Sequence, residues 1–434
     1  MPPQDHVVQR QQCSSSILQK LTGIAAVGLL TAGLAACTTQ DGHDSISLAG
    51  GSHTSTTAPT KAATSKASHA PKSNVSGDTN KAVKPPSTPT PIENEPANDA
   101  EKSEGYCKSV FGSNEHSDPI RGYVYRTGAD VGTPLSHFLN NLGKNEAHKA
   151  AAVVRVEWKE LQPEEDGQVK AYRIVRKLQQ LHQIGIDQVR LRIDLGGAGA
   201  PSWAIQNSGG GISVNDLNGS HSHGTAAHFW TKSYGEDVSQ LVNKLGRTLD
   251  GCKPIKDISF TRNQVYTDAE SDVLGVDQAS RKRLESKGLN QWKYQQNNYD
   301  DIALANHAFP TTGFYIAIDT PAQIGKTTSQ QSLELGKAQI DRAVQVLGKR
   351  AVLGNNSFGK NRTGSLKLLE NYRIKVANEH NVPLSSQTAT MERFGRSYMQ
   401  VFQDASEQHF YSLELPVELF DKPLNQLPRL YQGR

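Results

Sequence analysis

Cysteine is scarce in this chain, with four in 434 residues. None joins histidine at zinc-module spacing, which excludes a structural zinc fold of that kind. Charge imbalance is equally small. Lysine and arginine number 47 against 43 aspartate and glutamate. No basic cluster is interleaved with aromatic residues, so nucleic acid is not an expected partner. No apolar run reaches the about 20 residues that a membrane-spanning helix needs. A G-x-G-x-x-G loop after the first strand is also missing. Gly196-Gly197-Ala198-Gly199 has other spacing, and Pro201 is expected to break any helix that would carry a phosphate at its N-terminus. That loop reads as a substrate-facing turn. No cofactor and no metal are expected. His221-Ser222-His223 with His228 sits in a Gly/Ser/Asn-rich stretch that reads as a solvated loop.

What is present begins with a short apolar run. Arg10 and Lys20 precede residues 21–34, which are apolar or small, and the run ends Leu34-Ala35-Ala36-Cys37. A charged region, a short apolar region and a small-residue cleavage site make an export signal. The tetrad resembles the lipobox of bacterial lipoproteins. The resemblance implies cleavage before Cys37 and a fatty acyl lipid such as palmitate on its sulfur. A lipid-anchored protein on the outer side of the cell membrane is the expectation, with residues 1–36 as signal peptide. Residues 37–104 follow with almost no large apolar side chain, as in Lys84-Pro85-Pro86-Ser87-Thr88-Pro89-Thr90-Pro91. Such a segment buries too little apolar surface to offset the entropy of ordering. It is expected to be a disordered tether, locally stiffened by proline.

The folded domain is therefore expected over residues 105–434. Eight strand patterns recur along it, among them Ala152-Val153-Val154-Arg155-Val156-Glu157-Trp158 and Gln188-Val189-Arg190-Leu191-Arg192-Ile193. Helical spacings lie between most of them, such as Ile174, Val175, Leu178 and Leu181, and Val238, Leu241, Val242, Leu245 and Leu249. Alternating strand and helix implies parallel pairing. Eight such units predict an α/β protein of the (β/α)8 barrel class. Cys107 and Cys252 remain for this domain. Two thiols in an oxidising compartment can pair, but spacing alone does not bring their Cα atoms within about 7 Å.

Barrel chemistry sits at the C-terminal strand ends. The second strand ends Glu157-Trp158-Lys159-Glu160-Leu161-Gln162-Pro163, and the third leads through Asp194 into Ala200-Pro201-Ser202-Trp203. A Trp-x-x-Leu-Gln-Pro segment followed by a Pro-x-Trp loop resembles the β-galactosidase-type barrels among the glycoside hydrolases. The resemblance covers residues 153–203 in detail. It implies a carbohydrate substrate, with Trp158 and Trp203 stacking on sugar rings at the mouth. Trp230 and Trp292, expected in loops, are further aromatic candidates.

The resemblance also implies a carboxyl acid near the end of the fourth strand and a nucleophile at the end of the seventh. This chain departs from both. No Asn-Glu pair closes the fourth strand, where Asp268 and Glu270 follow, and Glu270 is the preferred acid. Gln387 stands at the seventh strand end, and an amide is not a carboxylate nucleophile. Glu392 comes shortly after it. Glu414 alternates with Leu413 and Leu415 in the last strand and is expected to face inward. There it serves either as Glu270's catalytic partner or in an ion pair with Arg155, Arg190 or Arg192. Asp194, Asn355, Asp319 and Gln387 complete the candidate substrate-facing set. Two functions follow: a membrane-tethered glycoside hydrolase acting on extracellular or envelope oligo- or polysaccharide, or a carbohydrate-binding lipoprotein without chemistry.

Overall fold

The computed structural model describes residues 97–116, 118–126, 151–215, 224–263, 265, 276–319, 323–360, 362–389, 391–415, 419 and 426–431. They belong to one compact unit within residues 82–434. Cys37 and the expected signal and tether lie outside the described residues. So do Asp268, Glu270, His221 and His223.

Ten strands follow in chain order: β1 (Gly122–Tyr125), β2 (Ala151–Glu157), β3 (Val189–Asp194), β4 (Ile212–Val214), β5 (Gly224–Ala226), β6 (Ile255–Thr261), β7 (Gly313–Ala317), β8 (Ala351–Gly354), β9 (Leu384–Gln387) and β10 (Phe410–Glu414). Eight of them close into a ring in the order β1-β2-β3-β6-β7-β8-β9-β10, with every neighbour parallel. The (β/α)8 barrel expected from the alternation of strand and helix is the fold observed. β4 and β5 form a small antiparallel hairpin outside the ring. At three residues each they leave too little pattern for period-two alternation to register.

The helices used below are α1 (Tyr106–Phe111), α2 (Trp158–Leu161), α3 (Tyr172–Gln183), α4 (Ser202–Asn207), α5 (Lys232–Leu249), α6 (Gln278–Ser286), α7 (Gln291–Ala308), α8 (Ser329–Leu347), α9 (Gly364–His380) and α10 (Tyr398–Glu407). Their apolar stripes bury against the outer face of the barrel. Ile174, Val175, Leu178 and Leu181 of α3 meet Val154, Val156, Leu191 and Ile193 in one continuous core. Each fully buried aliphatic side chain there contributes roughly 1.5–3 kcal/mol. Gly185, at φ 88°, lets the chain turn away just beyond α3, a conformation costly for other residues.

Period two sorts the strands into an apolar outside and a largely polar inside. Near the N-terminal ends the interior is filled by Ile120, Val124, Ala151 and Val153, and a second small cluster joins Tyr315, Ala317 and Val352. Between and above them stand Arg190, Arg192, Asp257, Ser259, Ser385, Ser412 and Glu414, all at 1 % exposure or less.

Cys107 on α1 and Cys252 ahead of β6 are joined as a disulfide, with Cα atoms 5.6 Å apart. Pro201 does not abolish a helix, contrary to expectation. It stands at the cap of the six-residue α4, where its fixed φ and missing N–H cost nothing. Nor is the glycine-rich loop open to substrate. A Cβ on Gly197 would fall 1.7 Å from the Val265 carbonyl oxygen, and one on Gly199 2.6 Å from that of Asp194. These glycines admit a tight fold of the chain onto the barrel top.

Candidate functional site at the barrel mouth

The polar interior is organised around Arg190. Its Nε and Nη2 donate to the two oxygens of Asp257 at 2.6 and 3.0 Å, and its Nη1 donates to Glu414 Oε1 at 2.8 Å. Ser385 Oγ accepts from Nη2 at 2.9 Å and in turn takes the Ser412 hydroxyl at 2.7 Å. The Tyr315 ring lies 3.7 Å from the guanidinium carbon, a cation–π contact. One turn of side chains higher, Arg192 Nη2 donates to both oxygens of Glu414 at 3.0 and 3.3 Å. The Gln387 amide completes the ring when its nitrogen donates to Glu414 Oε2 at 3.3 Å and its oxygen accepts from Arg126.

This accounts for Glu414. The side chain does face inward, and it is fully buried against two of the three arginines named from sequence. Burial alone would raise its carboxyl, but Arg192, Arg190 and Arg126 outweigh burial and hold it below the usual carboxylate value. The ion pair named from sequence is the role observed, and a carboxylate at 0 % exposure between two arginines is out of reach of a substrate's anomeric carbon.

The strand ends at the mouth carry three further carboxylates, each paired with a cation; Glu157 and Asp319 are partly exposed and Asp194 is buried. Glu157 and Asp194 are register partners on adjacent strands, whose backbones lie about 4.8 Å apart. Glu157 meets Lys159 at 2.7 Å, and Asp194 accepts from Arg155 Nε. Asp319, just past β7, accepts from Arg362 Nη2 at 2.9 Å and from Ser357 Oγ at 3.2 Å. Asn355 is buried, and its Oδ1 takes the Ser357 N–H at 3.1 Å, closing a local turn. Its Nδ2 has no partner.

The tryptophans divide differently from expectation. Trp158 is 0 % exposed and does not stand at the mouth. It belongs to the outer core, with its ring edge-on to Trp203 at 5.4 Å and to Tyr234 at 5.7 Å. The cause is parity: Trp158 shares the outward side with Val154 and Val156, while Arg155 and Glu157 point in. Trp203 is half-buried on α4 and donates from Nε1 to the Gln162 carbonyl at 3.2 Å. The two segments that suggested a sugar platform thus pack on each other. Trp230 lies in a loop, as expected, whereas Trp292 is on helix α7 and 71 % exposed. Glu392 sits in a short 3-10 turn, Met391–Arg393, beyond β9.

Arg126, Asp257 and Tyr315 were not singled out from sequence. Asp257 carried a usable signal, since a charge alternating with Ile258 and Phe260 in a central strand needs an inward partner. Among the described residues, no group of three histidine, cysteine, aspartate or glutamate side chains is placed to hold a metal ion.

No protein-family profile matches the chain, and no curated protein matches it. Solved structures do align with it at low identity. The catalytic domain of β-amylase from Paenibacillus polymyxa aligns at 12% identity and TM-score 0.46, over 72% of this chain and 96% of that one. The endoglucanase Cel5A of Pseudomonas stutzeri aligns at 10% identity and TM-score 0.42, over 70% and 96%. The β-1,4-D-mannanase of Cryptopygus antarcticus aligns at 11% identity and TM-score 0.38, over 70% and 87%. Likeness at this level assigns no activity, and the functional argument rests on the side chains of the mouth.

Proposed function

We propose that this chain is an exported, lipid-anchored protein whose barrel mouth binds and hydrolyses the glycosidic bonds of oligo- or polysaccharide outside the cell. The observation that carries the reading is the in-register pair Glu157 and Asp194 at the rim, above a barrel interior given over to charge. Glycoside hydrolysis needs a second carboxyl group about 5–9 Å from the first, and in this reading the segment after β6 supplies it. Buried charge is costly unless paired or functional. In this reading one rim carboxylate activates water or attacks the anomeric carbon. Glu270 or Asp268, in the segment after β6, supplies the proton to the leaving oxygen. Export and the lipid on Cys37 are supported by the sequence before the tether. The Cys107–Cys252 bridge also supports export, since disulfides persist in oxidising compartments.

A second reading is favoured by the amide of Gln387 and by the enclosure of Glu414: a saccharide-binding barrel without turnover. Release of reducing sugar from a panel of polysaccharides by the full-length protein separates the two. Hydrolysis is expected, and Glu157→Gln and Glu270→Gln are each expected to lower it by about a thousandfold or more. Saccharide binding without any release of reducing ends establishes the second reading instead. Release unchanged in both variants removes the residue assignment. Metabolic labelling with palmitate, compared between wild type and Cys37→Ser, tests the anchor.

A further inference from the structure

A groove of about 920 Å³ opens between the N-terminal ends of α5 and α7, beside the mouth and outside the ring of strands. Arg262, immediately beyond β6, lies along its inner wall. Its composition is unusual. Two tryptophans, Trp230 and Trp292, line it, and no aliphatic side chain does. Trp292 is by far the most exposed large apolar side chain among the described residues. Trp230 is held edge-on by His228 and Phe229, at ring distances of 5.4 and 4.9 Å. The remaining wall is amide, hydroxyl, carboxylate and ammonium.

The charges cancel. Arg262 is taken by Asp301 at 2.7 Å and Asp300 at 3.5 Å, and Lys232 by Glu236 at 3.4 Å. Lys293 donates to the Gly288 carbonyl at 2.9 Å. An anionic ligand therefore meets no uncommitted cation pair. A protein partner would want apolar contacts around its aromatic anchors, and the wall supplies none. Asp237 is different. It lines the groove beside Asn207, which hydrogen-bonds its carboxyl, and its enclosed Oδ2 has no hydrogen-bond partner, so a small turn of the carboxyl presents an unused acceptor to a ligand hydroxyl. Burial, together with the nearby carboxylates of Glu165 and Glu236, raises its carboxyl above the usual value.

We propose that this groove is a second saccharide-binding site, taking a neutral glycan chain with one sugar ring stacked on Trp292 and a hydroxyl of the chain bonded to Asp237. An indole face takes the apolar side of a pyranose, and the planar amides and carboxylates around it take the equatorial hydroxyls. The site holds the polymer next to the mouth, so that cleavage or binding there acts on a strand already captured. The inference rests on the saccharide reading of the mouth, but it uses none of the mouth's residues.

Affinity electrophoresis of the full-length protein in gels containing laminarin, glucomannan or soluble starch tests it. Retardation by at least one of these is expected. Trp292→Ala is expected to weaken it about tenfold, as loss of one stacking contact does, and Asp237→Ala to weaken it further. The circular dichroism spectrum and thermal midpoint of Trp292→Ala should match the wild type, because the ring is largely in solvent. Glu157→Gln, at the mouth, should leave retardation by the groove in place. A wild type retarded by none of the three polymers overturns the proposal. So does retardation that Trp292→Ala leaves unchanged. Retardation that depends on Trp292 in a protein with no hydrolytic activity upholds the groove and removes the hydrolase reading alone.

Discussion

Arg190 and Arg373 are both fully enclosed, and their surroundings are opposite. Arg190, inside the barrel, has two carboxylates, a hydroxyl and a tyrosine face arranged around it. These partners outweigh burial and raise its guanidinium above the ordinary arginine value. Arg373, on α9 between helix and barrel, is 2 % exposed, and its Nη1 and Nη2 have no hydrogen-bond partner. Burial, and the like charge of Arg362 beside it, push its guanidinium down to about 10. Enclosure is the same in the two places. What differs is whether a carboxylate is in hydrogen-bond contact: Asp257 and Glu414 are with Arg190, whereas no carboxylate bonds Nη1 or Nη2 of Arg373.

The first way to break this contrast is Arg190→Met. It leaves Asp257 and Glu414 as buried carboxylates that have lost their shared cation. A loss of about 3–5 kcal/mol is expected, as for one partner removed from a buried pair. Urea unfolding at neutral pH measures it. A loss below about 1 kcal/mol would mean that the interior relaxes or admits water, and that the network is not a structural unit.

Glu414→Gln is the next test, with a smaller expected loss of about 1–3 kcal/mol. The amide keeps an acceptor for Arg190 and Arg192 but brings no charge. The variant also carries a pH signature. The Glu414 carboxyl is held below its ordinary 4.5 in the folded state. Its contribution is therefore complete above that value and is lost as pH falls through the folded pKa. The gap between wild type and Glu414→Gln should be constant from pH 7 to about 5 and should close on further acidification. A gap that widens on acidification would contradict the assignment of Glu414 as the ionised member of the cluster.

Much of this arrangement was legible in the sequence. All eight barrel strands showed as short runs, because their outward apolar positions recur at period two and helical spacings interrupt them. The inward direction of Glu414 followed from alternation in β10; of the three arginines offered as its partners, Arg190 and Arg192 pair with it and Arg155 goes to Asp194. Trp158 was misplaced for want of the same count. Position in a strand-end motif suggested the mouth, whereas parity with Val154 and Val156 sends the ring outward. The hairpin of β4 and β5 was too short to leave a period. The groove beside Trp292 was invisible for another reason. It is assembled from α5, α7 and the end of β6, segments that no local pattern brings together. The two carboxyl candidates that follow β6, Asp268 and Glu270, lie outside the described residues.

Arg373→Met is the smallest change and the one that sharpens the contrast most. The sign follows from its guanidinium. A folded value of about 10, below the ordinary arginine value, means that the charged form is disfavoured by folding. That penalty is complete at neutral pH and fades only as pH rises above about 10 towards the ordinary arginine value. Removing the charge while keeping much of the side-chain volume should therefore be neutral or stabilising, by up to about 2 kcal/mol, as when a poorly compensated buried ion is replaced by a well-packed apolar side chain. The Glu370 and Asp319 carboxylates act in the other direction. They remain satisfied without Arg373, because Arg362 contacts both, at 3.4 and 2.9 Å. The urea midpoint of Arg373→Met at neutral pH should thus equal or exceed that of the wild type, while that of Arg190→Met falls well below it. A loss in Arg373→Met as large as in Arg190→Met would show that Arg373 is compensated after all, and that enclosure alone, with no distinction of place in the barrel, sets the cost of removing a buried arginine here.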